Sequence, residues 1–178
     1  LLTRNLDELV EVYEVEHSVN YLNKEITKYL VKANQLPLPL GDRKLVAGLF
    51  HVVSDIERIS DHAMNICGYT KHLADKGIKF SEEALKEIDI MQKTSLEAMS
   101  YIHYSDENRI ESLSKISSLE QKIDDLTDTF RRNQIDRMKS SSCNSEAGII
   151  YSEMLTDFER IGDHILNIGE EIASVSIA

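Results

Sequence analysis

Apolar residues along this chain recur three and four positions apart, the spacing of one helix face, and not in the strict alternation of a half-buried strand. The pattern is clearest near the C-terminus, where Met154, Phe158, Ile161, Ile165, Ile168 and Ile172 follow one another at 4-3-4-3-4 spacing. A stripe of that kind must face a partner helix. Val52, Ile56, Ile59, Ala63 and Ile66 carry the same register earlier in the chain. Between the stripes the chain is punctuated. Residues 35–42, with Pro37 and Pro39, read as non-helical, because proline removes a donor and restricts the residue before it. Gly77 followed by Ser81-Glu82-Glu83 reads as a helix end and a new cap, Ser105-Asp106-Glu107 as another cap, and residues 140–145 as a serine-rich turn. The pattern predicts an all-α fold of five long helices, over 3–34, 42–75, 81–104, 106–139 and 145–174.

Two of these helices are copies of one another. Residues 55–66 read DIERISDHAMNI and residues 157–168 read DFERIGDHILNI, a constant displacement of 102 residues from Glu57 to Glu159. Asp, Glu, Arg, Ile, Asp, His, Asn and Ile are shared without a gap, so the chain carries an internal duplication. A fainter match sets Val15-Glu16, Val19-Asn20, Leu22 and Ile26 against Leu119-Glu120, Ile123-Asp124, Leu126 and Phe130, now displaced by 104 from Glu16 to Glu120. The predicted organisation is two tandem antiparallel helical bundles, 1–76 with two helices and 77–178 with three. The first helix of the first repeat is missing from this pattern. Because the chain opens at Leu1 inside a helical pattern and without methionine, the expectation is a fragment whose absent helix lies upstream.

The duplicated acids flank the apolar seam without entering it. At about 100° per residue, with Ile56 as zero, Ile59 and Ala63 fall within about 60°, whereas Glu57 and Asp61 fall at about 100° and 140°. Glu159 and Asp163 repeat that placement, Glu120 and Asp124 flank the fourth helix on the same side, and Glu16 and Asn20 do so on the first. Residues equidistant from a hairpin turn share a height. The midpoint of Glu16/Asn20 and Glu57/Asp61 falls in the proline turn, and that of Glu120/Asp124 and Glu159/Asp163 in the serine turn. A carboxylate cluster in each half is therefore permitted, and a cation is the simplest neutraliser of such a cluster. The competing reading is that Arg58 and Arg160 simply pair with these acids. His62 and His164 lie on the far flank and read as structural hydrogen-bonders ahead of metal ligands; Asn65 and Asn167 extend the polar stripe by a turn.

Composition narrows the function classes. The formal net charge of -11 argues against nucleic acid and against an anionic membrane face, both of which need a basic footprint. No apolar run reaches the roughly 18–20 residues of a membrane span, so direct insertion is not expected. Cys67 and Cys143 are too few for a disulfide scaffold, Cys67 reading as a core residue and Cys143 as part of the serine turn, and a reducing, cytoplasmic setting is the default. No nucleophile-base pair, phosphate-cradling glycine loop or zinc spacing is evident, so no catalytic residue is assigned and a non-enzyme is expected.

The strings Glu57-Arg58-Ile59-Ser60-Asp61-His62 and Glu159-Arg160-Ile161-Gly162-Asp163-His164, each followed by Asn-Ile, resemble the repeated signature of the PhoU family across both halves. The resemblance implies two tandem PhoU-like three-helix bundles and a restraining role in phosphate uptake and signalling. It also implies metal, iron, zinc or manganese, on Glu57, Asp61, Glu120, Asp124, Glu159 and Asp163. Glu16 matches the pattern as well, but Asn20 stands where an aspartate is expected. The preferred context is the soluble C-terminal part of a sodium–phosphate cotransporter, tethered to the inner face of the cell membrane through a missing N-terminal transporter region. The alternative is a stand-alone phosphate-signalling regulator. Partners implied are the transporter portion of the same chain or a phosphate-uptake or signalling protein, with a homodimer left open. Two rivals remain: a diiron carboxylate enzyme, which needs two Glu-x-x-His pairs whereas only Glu14 and His17 supply one, and a metal-free docking module.

Overall fold

The computed structural model describes residues 6–102, 108–140 and 144–174, with side chains from Val10 onward. Five helices form: α1 Leu6–Asn34, α2 Leu40–Lys76, α3 Glu82–Ser100, α4 Arg109–Lys139 and α5 Ser145–Ser174. Among the described residues there is no strand. Helix α2 starts at Leu40, two residues earlier than predicted. Pro39 takes the N-cap position at φ -53°, where the missing N–H costs nothing because the first helical amides have no intrahelical acceptor. The helix ends at Gly77, whose φ of 65° is left-handed, with Ile78 N donating to Leu73 O at 2.9 Å, a Schellman-like closure. Ser81 Oγ accepts from Ala84 N at 3.2 Å and opens α3 as predicted. Helix α3 stops at Ser100, four residues early, with Tyr101 at its C-cap. The cap expected at Ser105 to Glu107, and Cys143 in the serine turn, lie outside the described residues. Asn144 caps α5, its Oδ1 accepting from Glu146 N at 2.8 Å.

Helix α5 is the hub: it packs against α2, α3 and α4, whereas α1 contacts only α2 among the described residues. Its stripe Met154, Phe158, Ile161, Ile165 and Ile168 is buried, along with Ile88 and Met91 of α3 and Ile116, Ile123 and Phe130 of α4. Each fully buried aliphatic contributes about 1.5–3 kcal/mol, so the apolar stabilisation is concentrated in α3–α5. The equivalent stripe of α2 behaves differently. Ile66 is buried, but Ile56 stays 45% exposed, because no described helix covers that face.

Helices α4 and α5 meet closely at Gly162, where an added Cβ would lie 3.2 Å from Ile123 Cδ1. A polar lock joins all three helices of the second repeat. Buried Glu87 of α3 accepts from Asn133 Nδ2 at 2.7 Å and from Arg137 Nη2 at 2.8 Å on α4, and from the Tyr151 hydroxyl of α5. Burial alone would raise this carboxyl, but the bonds from Arg137, Tyr151 and Asn133 outweigh it and hold Glu87 below its ordinary range. No helix among the described residues is long and apolar enough to cross a membrane.

Candidate metal centre and the repeat interface

Glu120 and Asp124 lie one turn apart on α4, and the α4–α5 hairpin brings Asp163 over them. One carboxylate oxygen from each lies within 4.8 Å of the other two, and all three residues are half-buried. Asp124 Oδ1 is buried and has no hydrogen-bond partner, which is costly for a carboxylate unless something positive approaches. Burial and then the charges of Asp124, Asp163 and Glu170 push the Glu120 carboxyl above its ordinary value. Burial and then Glu159, Asp163, Asp125 and Asp128 do the same to Asp124. Ionising the pair therefore costs the folded state free energy that a bound cation would return.

Glu159 takes a different partner. Arg131 Nη2 reaches its Oε2 at 2.8 Å and also donates to Thr156 Oγ1 at 3.1 Å, turning the expected fourth ligand toward α4's guanidinium. Arg160 pairs with Asp163 at 3.1 Å, but as an exposed i,i+3 contact worth well under about 1 kcal/mol. The arginine-pairing alternative thus describes Glu159, through an arginine outside the duplicated string, better than it describes Asp163.

The first repeat does not assemble the same group. Glu16 accepts from Asn20 Nδ2 at 2.5 Å, an amide donor satisfying the acid where a second carboxylate would have repelled it. Glu57 and Asp61 are half-buried, and no second group of three such ligands converges among the described residues. Glu14 and His17 are exposed on α1.

The opposite flank of the duplicated motif builds the contact between the repeats. His62 Nδ1 bonds Asp157 Oδ1 at 2.6 Å, and His164 Nδ1 bonds Asp55 Oδ1 at 2.8 Å. Asn65 Nδ2 donates to Asp157 Oδ1 at 3.1 Å and Asn167 Nδ2 to Asp55 Oδ1 at 3.5 Å. The two imidazoles stack between these pairs with centroids 5.7 Å apart. Further along, Lys76 meets Glu146 at 2.6 Å, so positions rise on α2 as they fall on α5 and the two helices run antiparallel. The histidines are hydrogen-bonded across the interface, as their flank predicts. Their acceptors, Asp55 and Asp157, escaped sequence reasoning, although both open the duplicated strings and are identical in them.

The profile described as "PhoU domain" matches residues 1–70 and 85–172. The "Phosphate-specific transport system accessory protein PhoU homolog 1" of Thermotoga maritima is 26% identical over 166 residues, spanning 91% of this chain and 70% of that protein. A homologue from Deinococcus radiodurans with the corresponding name is 23% identical, spanning 97% of this chain and 80% of that protein. Among solved structures, the phosphate transport system regulatory protein PhoU from Streptococcus pneumoniae superposes with a TM-score of 0.74 at 23% identity, over 92% of this chain and 76% of that one. PhoU from Pseudomonas aeruginosa gives 0.71 at 20% identity, over 93% and 79%.

Proposed function

This chain belongs to the PhoU domain family, and on that premise we propose that it is a regulator of phosphate transport which acts beside a phosphate-uptake or signalling protein. The observation that carries the reading is the family match, which runs through both copies of the duplicated motif. The named relatives are phosphate transport accessory proteins. They favour a stand-alone regulator over the membrane-tethered cotransporter portion expected from the sequence. Deleting the chain from its host is expected to raise phosphate uptake in phosphate-replete medium, and re-expression to reverse this. Uptake of labelled phosphate that is indifferent to both would sink the reading.

The regulator reading extends to a cation held by Glu120, Asp124 and Asp163. What supports it is the orphaned Asp124 oxygen inside a group of three mutually repelling acids. Of the metals expected, an all-oxygen donor set suits manganese or ferric iron better than zinc. Bound there, a cation supplies positive charge and a cross-link between α4 and α5. The protein's own part is to hold Asp124 desolvated and to bring Asp163 over it. Elemental analysis of the purified chain beside Asp163→Asn tests this: metal near one equivalent, lost in the variant, is the expected result. Equal metal in both would exclude the cluster.

A further inference from the structure

The duplication makes the two hairpin tips comparable, and their chemistry differs. The α4–α5 tip reads Ser140-Ser141-Ser142-Cys143-Asn144, a polar string, whereas the α1–α2 tip reads Leu36-Pro37-Leu38-Pro39-Leu40. Leu36 is 58% exposed and Leu40 71%, so these leucines add little to any core, and α4 packs on α5 with serines in their place. Val31, also exposed, extends the apolar tip toward α1. Its counterpart at the displacement of 104 is Ile135, which stays exposed although α3 is in place. Val31 therefore lies off the face that a third helix covers in the second repeat. The tip also projects. Glu171 of α5 lies over Gly48 of α2, and α5 is described only as far as Ser174, so with antiparallel helices the turn at residues 35–39 stands about one helical turn beyond it.

The charge of the chain is not evenly spread. Against a net charge of -11, residues 28–44 carry Lys28, Lys32, Arg43 and Lys44 with Asp42 as the one acid. The duplication sets Lys32 and Lys44 opposite acids, Asp136 and Glu146. Lys28 pairs with Glu25 at 2.6 Å, but Lys32 and Lys44 form no ion pair among the described residues. Arg43 Nη2 donates to Leu38 O at 3.1 Å and holds a cation beside the leucine turn. A projecting apolar knuckle ringed by cations suits a surface that yields around it, with a hydrocarbon boundary beneath negative head groups; a protein partner would need a preformed pocket of the same shape. We propose that the α1–α2 tip docks reversibly on an anionic lipid bilayer, with Leu36, Leu38 and Leu40 at the acyl boundary and Lys32, Arg43 and Lys44 against the head groups. The acidic remainder of the chain is repelled by such a surface, which confines the contact to this end and fixes the orientation of the bundle.

The test titrates the chain with vesicles of phosphatidylcholine and phosphatidylglycerol, and with vesicles of phosphatidylcholine alone, reading bound protein by co-sedimentation. Binding to the mixed vesicles is expected to be at least about tenfold tighter. Leu36→Ser plus Leu40→Ser, and separately Lys32→Glu plus Lys44→Glu, are each expected to weaken it about tenfold or more. Leu22→Ser plus Ile56→Ser, on the open face of the same hairpin, is expected to leave it within about twofold. All six positions are exposed, and circular dichroism verifies that each variant stays folded. No binding to the mixed vesicles, equal binding to both kinds, or tip variants that bind like the parent overturns the proposal. So does a loss confined to the Leu22 and Ile56 pair. If the chain ignores both vesicles while the tip pairs abolish its restraint of phosphate uptake, the occupant is a protein and the lipid assignment falls; a dimer of the free chain that the leucine pair splits makes the occupant a second copy, with the same consequence.

Discussion

Glu120 and Asp124 share a helix turn, a half-buried setting and a like charge; burial first, and then neighbouring acids (Asp124 and Asp163 for Glu120, Glu159 and Asp163 for Asp124), raise the cost of ionising each. Asp124→Asn is therefore expected to stabilise the metal-free protein by roughly 0.5 kcal/mol and to abolish the stabilisation expected from added manganese at the proposed cluster. Thermal unfolding with and without manganese reads both effects. If the variant gains as much from manganese as the parent, the cluster is not the site. Arg131 sorts the remaining acids: Glu159→Gln should leave manganese affinity within about twofold, whereas Asp163→Asn should lower it by about tenfold or more, in a competition titration. That order was hidden in the sequence. The acids themselves were legible because duplication repeats them at matched heights, but Arg131 lies outside both duplicated strings and meets Glu159 only through the folded hairpin. Asp55 and Asp157 were in plain view at the head of each string. They went unread because a carboxylate's role depends on which flank faces the other repeat, a property of α2–α5 packing and not of either helix alone.

Helices were legible where periodicity ran long and punctuation was strong. The Gly77 end and the Ser81 cap fall where their chemistry demands. Helix α2 starts earlier than its sequence suggests: two prolines close together read as a long break, yet the second sits at the N-cap without cost. What periodicity could not reveal is that equal stripes on α2 and α5 meet unequal burial, since that depends on α3 covering only one of them. Close packing of α5 against α4 makes Gly162→Val a sharp test. The three carbons of the added isopropyl group beside Ile123 should cost about 1–3 kcal/mol through overpacking, measured by urea unfolding. Glu87→Ala should cost more, about 3–5 kcal/mol, because it leaves Arg137 charged and largely buried without its partner. A loss below 1 kcal/mol would mean that solvent reaches the lock freely.

At the level of the molecule, these opposed carboxylates shape the response to acid. Glu120 and Asp124 have raised values, so as pH falls through them the metal-free fold takes up protons before the unfolded chain does and gains stability. Glu87 is held below its ordinary value, so its contribution is full above about pH 4.5 and is lost as pH falls through the depressed value. A stability maximum on the acid side of neutrality is expected in chelator-treated protein, with Asp124→Asn flattening the rise toward it and Glu87→Gln flattening the fall beyond it. The contact between the repeats has an ancestry written into it. His62 with Asp157 and His164 with Asp55 form a reciprocal pair, in which each copy offers the other the same face, as subunits do about a two-fold axis. A half-length forebear bearing that motif could have met its own twin through this face, and fusion of two genes would then have turned a concentration-dependent encounter into a permanent one.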